Sequence, residues 1–103
     1  MAAQVQRTAL AAAAYTTVFT AAADCTVNIR LTNRDPLNAI TISLAVGAAS
    51  APAAPALSDY VEQPSLQIPA GGVLEELGMS MAAGEVVTAF SSAATCSVRV
   101  YGR

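Results

Sequence analysis

The sequence contains no lysine, no histidine and no tryptophan, and charged residues fill only 12% of its 103 positions. Without histidine, a serine or cysteine nucleophile has no imidazole to activate it. The two cysteines, Cys25 and Cys96, stand far apart with no CxxC or Cys/His spacing, which excludes an ordinary zinc site. No acidic alternation of the calcium-loop type occurs, and the glycines sit singly or in turns, so no phosphate-binding loop emerges. No apolar run approaches the roughly 20 residues that a membrane helix requires.

Charge is sparse and dispersed. All five basic residues are arginines (Arg7, Arg30, Arg34, Arg99, Arg103), and they do not cluster along the chain. With a net charge of −2, the sequence offers no concentrated positive patch of the kind that neutralises phosphates. Neither nucleic acid nor a membrane is an expected partner, and no cofactor is expected. Glu75 and Glu76 are adjacent, so on a strand they point to opposite faces and cannot form a facing carboxylate pair. Asp24, Asp35, Asp59 and Glu62 are most simply turn formers and solvated charges. An enzyme is the weakest reading of this residue set.

What is present points to one domain. A chain of this length supports a single modest core. Hydrophobic residues make up 54% of it, but much of that is alanine, so the larger apolar side chains must be well placed. A surface built from Ala, Ser, Thr and small apolar groups suits packing against other proteins. Residues 7–23 faintly resemble a signal peptide. Tyr15, Thr16, Thr17 and Thr20 interrupt the apolar run and Asp24 precedes Cys25, so no cleaved leader is expected.

Short strands separated by turn signals predict an all-β domain, an antiparallel sandwich or small barrel of about seven or eight strands. Residues 15–20 (YTTVFT) are β-typical. Residues 25–33 (CTVNIRLTN) alternate, with Cys25, Val27, Ile29 and Leu31 on one face. Residues 33–38 form a turn, and residues 39–46 (AITISLAV) alternate again, so the two strands read as a hairpin or meander step. The Ala/Pro/Ser stretch 47–58 reads as a long crossover between sheets, with a protruding contact loop as the alternative. Residues 59–63 (DYVEQ) and 66–68 read as short strands. Residues 73–79 (VLEELGM) read as a strand, although the Leu74/Leu77 spacing also allows a helical turn. Residues 86–91 and 95–101 close the domain, the latter with Cys96, Val98 and Val100 on one face and Ser97, Arg99 and Tyr101 on the other.

Residues 1–14 lack a strand period and read as a flexible N-terminal arm preceding a domain over 15–103, with a short helix or an edge strand as alternatives. Within the arm, Val5, Arg7 and Leu10 are candidate contact residues. If Val87 and Ala89 face the core, Val86 and Phe90 face out. Phe90 and Tyr101 are then aromatic anchors of the type enriched at interfaces; the reverse register puts Phe90 in the core. Cys25 and Cys96 share inward parity. Either they form an inter-sheet disulfide or both are small buried hydrophobes.

Three segments, TVNIRLTNRD (26–35), DYVEQPSLQIPAGGVLEELGMSMAAGE (59–85) and SSAATCSVRVYG (91–102), carry a resemblance. A strand ending in "NR", a "DYIE"-like segment, a "LPANGVLE"-like turn, an "AGE" turn and a closing "SVRVYG" resemble a family of small structural proteins of tailed-bacteriophage particles. The likeness covers roughly residues 15–102. It implies a β-sandwich in an assembled virion, with no catalytic residues to carry over. The cysteine pair departs from the family pattern. The expected role is a capsid decoration (cement) protein on the phage head, bound to the major capsid protein and oligomeric, a trimer being favoured. A tail, baseplate or fibre component is the first alternative and a carbohydrate-binding module the second.

Overall fold

The computed structural model describes residues 4–102. Among them are eight strands: β1 (Gln4–Ala9), β2 (Ala14–Thr20), β3 (Cys25–Asn33), β4 (Ile40–Gly47), β5 (Leu66–Ile68), β6 (Val73–Met81), β7 (Val86–Ser91) and β8 (Cys96–Gly102). They form two four-stranded sheets, ordered β1-β8-β3-β6 and β2-β7-β4-β5, and every pairing is antiparallel. The protein is an all-β sandwich.

The pairing is nested. β1 lies on β8, β2 on β7, β3 on β6 and β4 on β5. The first half of the chain therefore pairs with the second half in reverse, like one long hairpin wound around the core. Every connection but the one from β4 to β5 crosses between the sheets. This winding is that of a jelly roll.

The alternation seen in the sequence holds. Val27, Ile29 and Leu31 of β3, Ile40, Ile42 and Leu44 of β4, and Cys96, Val98 and Val100 of β8 are buried. They meet Val87 and Ala89 of β7, Val18 of β2, and Leu10, Ile68 and Met81 in one core cluster. Truncating one of the large members, Leu31→Ala for instance, removes about 2–5 kcal/mol by lost burial and cavity formation.

Several expectations are corrected. β3 and β4 are not a hairpin: they lie in different sheets, and the turn between them is an arch over the core. Alternation marks a buried face but not the sheet to which a strand belongs. Conversely, residues 48–65 do not cross between sheets but return the chain to β4's own neighbour, β5. Residues 59–63 do not form a strand. Leu57–Asp59 make one turn of 3₁₀ helix, and Tyr60 contributes a single bridge to Ala45. Pro64 lacks an N–H, and Ser65 has a φ of 62°, so pairing cannot extend there.

The ambiguous segment is strand β6, and its helix-like spacing comes from a bulge. Val27 pairs with Met79 and Ile29 with Glu76, so Leu77 and Gly78 together oppose Asn28. Gly78 takes the left-handed conformation (φ 68°) that such a bulge requires. Its N–H donates to Asn28 Oδ1 at 2.9 Å.

The N-terminal stretch is not a flexible arm over its described part. β1 pairs with β8 from Gln4–Gly102 through Ala9–Ser97, and Leu10 plugs the core at 2% exposure. The edge-strand alternative holds; no strand period marks it in the sequence because its inward positions, Gln6 and Thr8, are polar. As an edge strand it is held chiefly by its hydrogen-bond ladder.

One end of the sandwich converges on Asn33, which has no exposed surface. Its Nδ2 donates to the carbonyls of Asn38 (2.9 Å), Ile68 (3.4 Å) and Pro69 (3.1 Å). Its Oδ1 accepts from Asp35 N–H (3.0 Å) and the Thr95 hydroxyl (3.1 Å). Three connections, after β3, β5 and β7, are thereby tied to one amide. Replacing Asn33 with Ala leaves several of these groups without partners and is expected to cost about 2–4 kcal/mol. Thermal unfolding of N33A should show a Tm lowered by more than about 10 °C; a melt within about 2 °C of wild type would contradict this role.

Candidate functional site

The two outer faces of the sandwich differ. On the second sheet, Tyr15 of β2 packs on Phe90 of β7 with ring centroids 5.0 Å apart. The Tyr15 and Tyr60 hydroxyls meet at 3.4 Å, with Tyr60 arriving from beyond β4. On the same face Ser43, Ala45, Val86 and Thr88 are buried although they point away from the core. Most of this face is thus covered by the protein itself.

The outer face of the first sheet is open, and its register assembles what the sequence disperses. Arg7 of β1 stands opposite Arg99 of β8, Arg99 opposite Arg30 of β3, and Arg30 opposite Glu75 of β6. Adjacent strands are about 4.8 Å apart, so three arginines stand side by side in one row across the sheet. Among the described residues, the only ion pair is Arg30 Nη1 to Glu75 Oε2 at 3.5 Å, with both side chains well exposed. The Tyr101 hydroxyl donates to the same Glu75 oxygen at 3.3 Å. The Arg99 guanidinium lies 5.8 Å from the Tyr101 ring centre, within cation–π range.

The rows on either side are Ala9–Ser97–Thr32–Val73 and Val5–Tyr101–Asn28. With the arginines, Ala9, Thr32, Ser97 and Tyr101 line a shallow depression of about 660 Å³. The face carries three arginines against one carboxylate in a chain whose net charge is −2. It is locally positive on an otherwise acidic molecule. Guanidinium forks with a tyrosine and hydroxyl groups between them can bind carboxylates or other oxyanions.

The candidate contact residues divide. Val5, Arg7 and Tyr101 fall on this open face. Leu10 and Val86, at 2% and 4% exposure, are buried and cannot be contact residues; Leu10 sits in the core and Val86 is covered on the outer side of β7 opposite Gly47. Phe90 does face outward, but its ring is half-buried against Tyr15. Arg30, Arg99 and Glu75 were not singled out by sequence. Outward parity gave their direction, but not that they are neighbours.

The disulfide does not form, and both cysteines are free. Cys25 begins β3, whereas Cys96 pairs with Asn33 at its far end. Eight residues of strand separate these positions by about 26 Å, while a disulfide needs Cα atoms within about 7 Å. Burial pushes the Cys96 thiol up to about 11, which keeps it protonated and unreactive.

Comparison with protein-family models, with curated proteins and with solved structures returns no match.

A second titratable feature lies at the β6 edge. Glu76 faces inward opposite Ile29, with one carboxyl oxygen buried. A hydrogen bond shared with the Glu62 carboxyl, followed by loss of solvent, pushes its pKa up to about 7. A carboxyl whose pKa is higher in the folded state stabilises fully below its ordinary value of 4.5. That contribution is lost as pH rises toward about 7. Glu76→Gln should therefore raise Tm at pH 8 by a few degrees, on the order of 1 kcal/mol, and flatten the decline between about pH 5 and 7. Melts of the two proteins across that range check this; an unchanged decline in E76Q would refute it.

Proposed function

We propose that this chain is a structural protein of a tailed-phage particle. It decorates the outer surface of the head and bridges neighbouring major capsid proteins. The observation that carries the reading is the division of the molecule into a filled interior and one open, chemically distinct sheet face. Leu10, Ile29, Leu31, Ile42, Leu44, Val87 and Val100 fill the space between the sheets, so interaction falls to the outside. Jelly rolls recur in viral capsid domains, in lectins and in cupins; fold alone does not select among them.

The segments that resemble phage virion proteins support the choice, because they coincide with the fold's determinants. The "NR" ending of β3 is Asn33, the buried amide, followed by Arg34. The "PAGG" turn supplies the Pro69 carbonyl that Asn33 bonds. The closing "SVRVYG" is β8, which holds Arg99 and Tyr101 at the middle of the open face. A low-charge, Ala-rich surface suits a protein that works in contact with others.

In this role the mechanism is mass action. A protein that binds only the assembled shell stabilises it by the binding free energy of each occupied site. A trimer around a three-fold position of the lattice is the closed arrangement that fits such a role.

Copy number in purified virions tests the reading. Quantitative mass spectrometry against the major capsid protein should give roughly one copy per capsid subunit for a trimer on every three-fold position, or about half a copy if only half of those positions are filled. A few copies per particle would transfer the protein to the tail or baseplate, and its absence from particles would overturn a structural role.

A further inference from the structure

We infer that the outer face of the first sheet is a docking site for an acidic segment of another protein, whose carboxylates are taken by Arg7, Arg99 and Arg30. The inference stands whether or not the chain belongs to a virion.

The starting point is an internal cost. Like charges directly opposite on neighbouring strands destabilise a sheet, and here the arrangement occurs twice in succession, Arg7 with Arg99 and Arg99 with Arg30. Glu75 offsets it only at one end, pairing with Arg30. Arg99 gains a contact with the Tyr101 ring, which leaves its charge in place. The other acids stand elsewhere: Asp24, Asp35, Asp59, Glu62 and Glu85 in connections, and Glu76 facing inward. The row is complete only when carboxylates are supplied from outside.

Its chemistry and dimensions favour a protein segment. Arginine forks match carboxylates in bidentate geometry. The row spans two strand spacings, about 10 Å. On an extended segment, carboxylates at alternate residues share one face and recur every 6–7 Å or so, within the reach of these side chains. Apolar ground flanks the charges on both sides: Val5 and Val73 are 46% and 44% exposed, and Tyr101 stands opposite Val5. Arginine and tyrosine with aliphatic neighbours are typical of protein interfaces. Glu75 at one end of the row repels a uniformly charged polyanion and limits the acidic stretch that fits.

The test uses the intact protein and a fluorescein-labelled hexaglutamate peptide, with a sulfated hexasaccharide as competing probe. Hexaglutamate should bind, more weakly as salt rises. Arg99→Gln should reduce that affinity about tenfold or more, the loss of at least one charge-assisted contact. The same variant should keep or raise Tm, because repulsion in the row is relieved. Arg34→Gln, at the sandwich end where Arg34 donates to the Ala94 carbonyl, should bind as wild type does. The inference is overturned if hexaglutamate does not bind, if R99Q and R34Q bind alike, or if R99Q loses binding only together with a fall in Tm. Tighter, Arg99-dependent binding of the sulfated hexasaccharide would also overturn it, in favour of a glycan.

Discussion

At one end of the sandwich, the amide of Asn33 occupies the space where apolar packing gives way to three chain reversals. Buried and unpaired, such a group would oppose folding by several kcal/mol. Here five hydrogen bonds consume its donors and its acceptor. Those bonds join the end of β3 in one sheet to the end of β5 in the other and to the residue that precedes β8. Nested pairing makes this junction consequential, because β8 is the central partner of both β1 and β3. Where Thr95 is held, the register of β8 follows, and with it the alignment of Arg99 between Arg7 and Arg30.

The sequence revealed those properties of the fold that depend on one strand at a time. Period-two alternation identified β3, β4 and β8 and oriented their faces, since each has a buried side independent of its neighbours. It was silent on properties that belong to pairs. The arch between β3 and β4 read as a hairpin because alternation is the same whether two strands lie side by side or face to face. The bulge at Leu77–Gly78 disturbed the spacing of β6 enough to resemble a helical turn. β1 was only one of three alternatives for the N-terminal stretch because its inward side chains are polar and leave no apolar period.

The candidate site was legible only in fragments for the same reason. Arg7 and Arg99 lie near opposite ends of the chain, and linear dispersal concealed a row that exists solely through register. Val5, Arg7 and Tyr101 were placed among contact residues and do share the open face. Val86 was placed with them by outward parity, and Leu10 as part of an N-terminal stretch without strand period. Neither signal reports that Leu10 reaches the core or that Val86 is buried on the outer side of its sheet. The cysteines shared inward parity as read, but inward parity on one strand says nothing of distance along it.

The two outer faces therefore have different fates. The second sheet satisfies its own surface with Tyr15, Phe90 and Tyr60, while the first leaves three arginines insufficiently countered. The central claim is that this open face is covered by other protein in the working assembly. Under the proposed virion role, arginine-specific chemical footprinting of the free protein and of the protein in purified particles tests it most directly. The account predicts that Arg7, Arg30 and Arg99 lose reactivity on assembly while Arg34 keeps its own; unchanged reactivity of the row in the particle would contradict it.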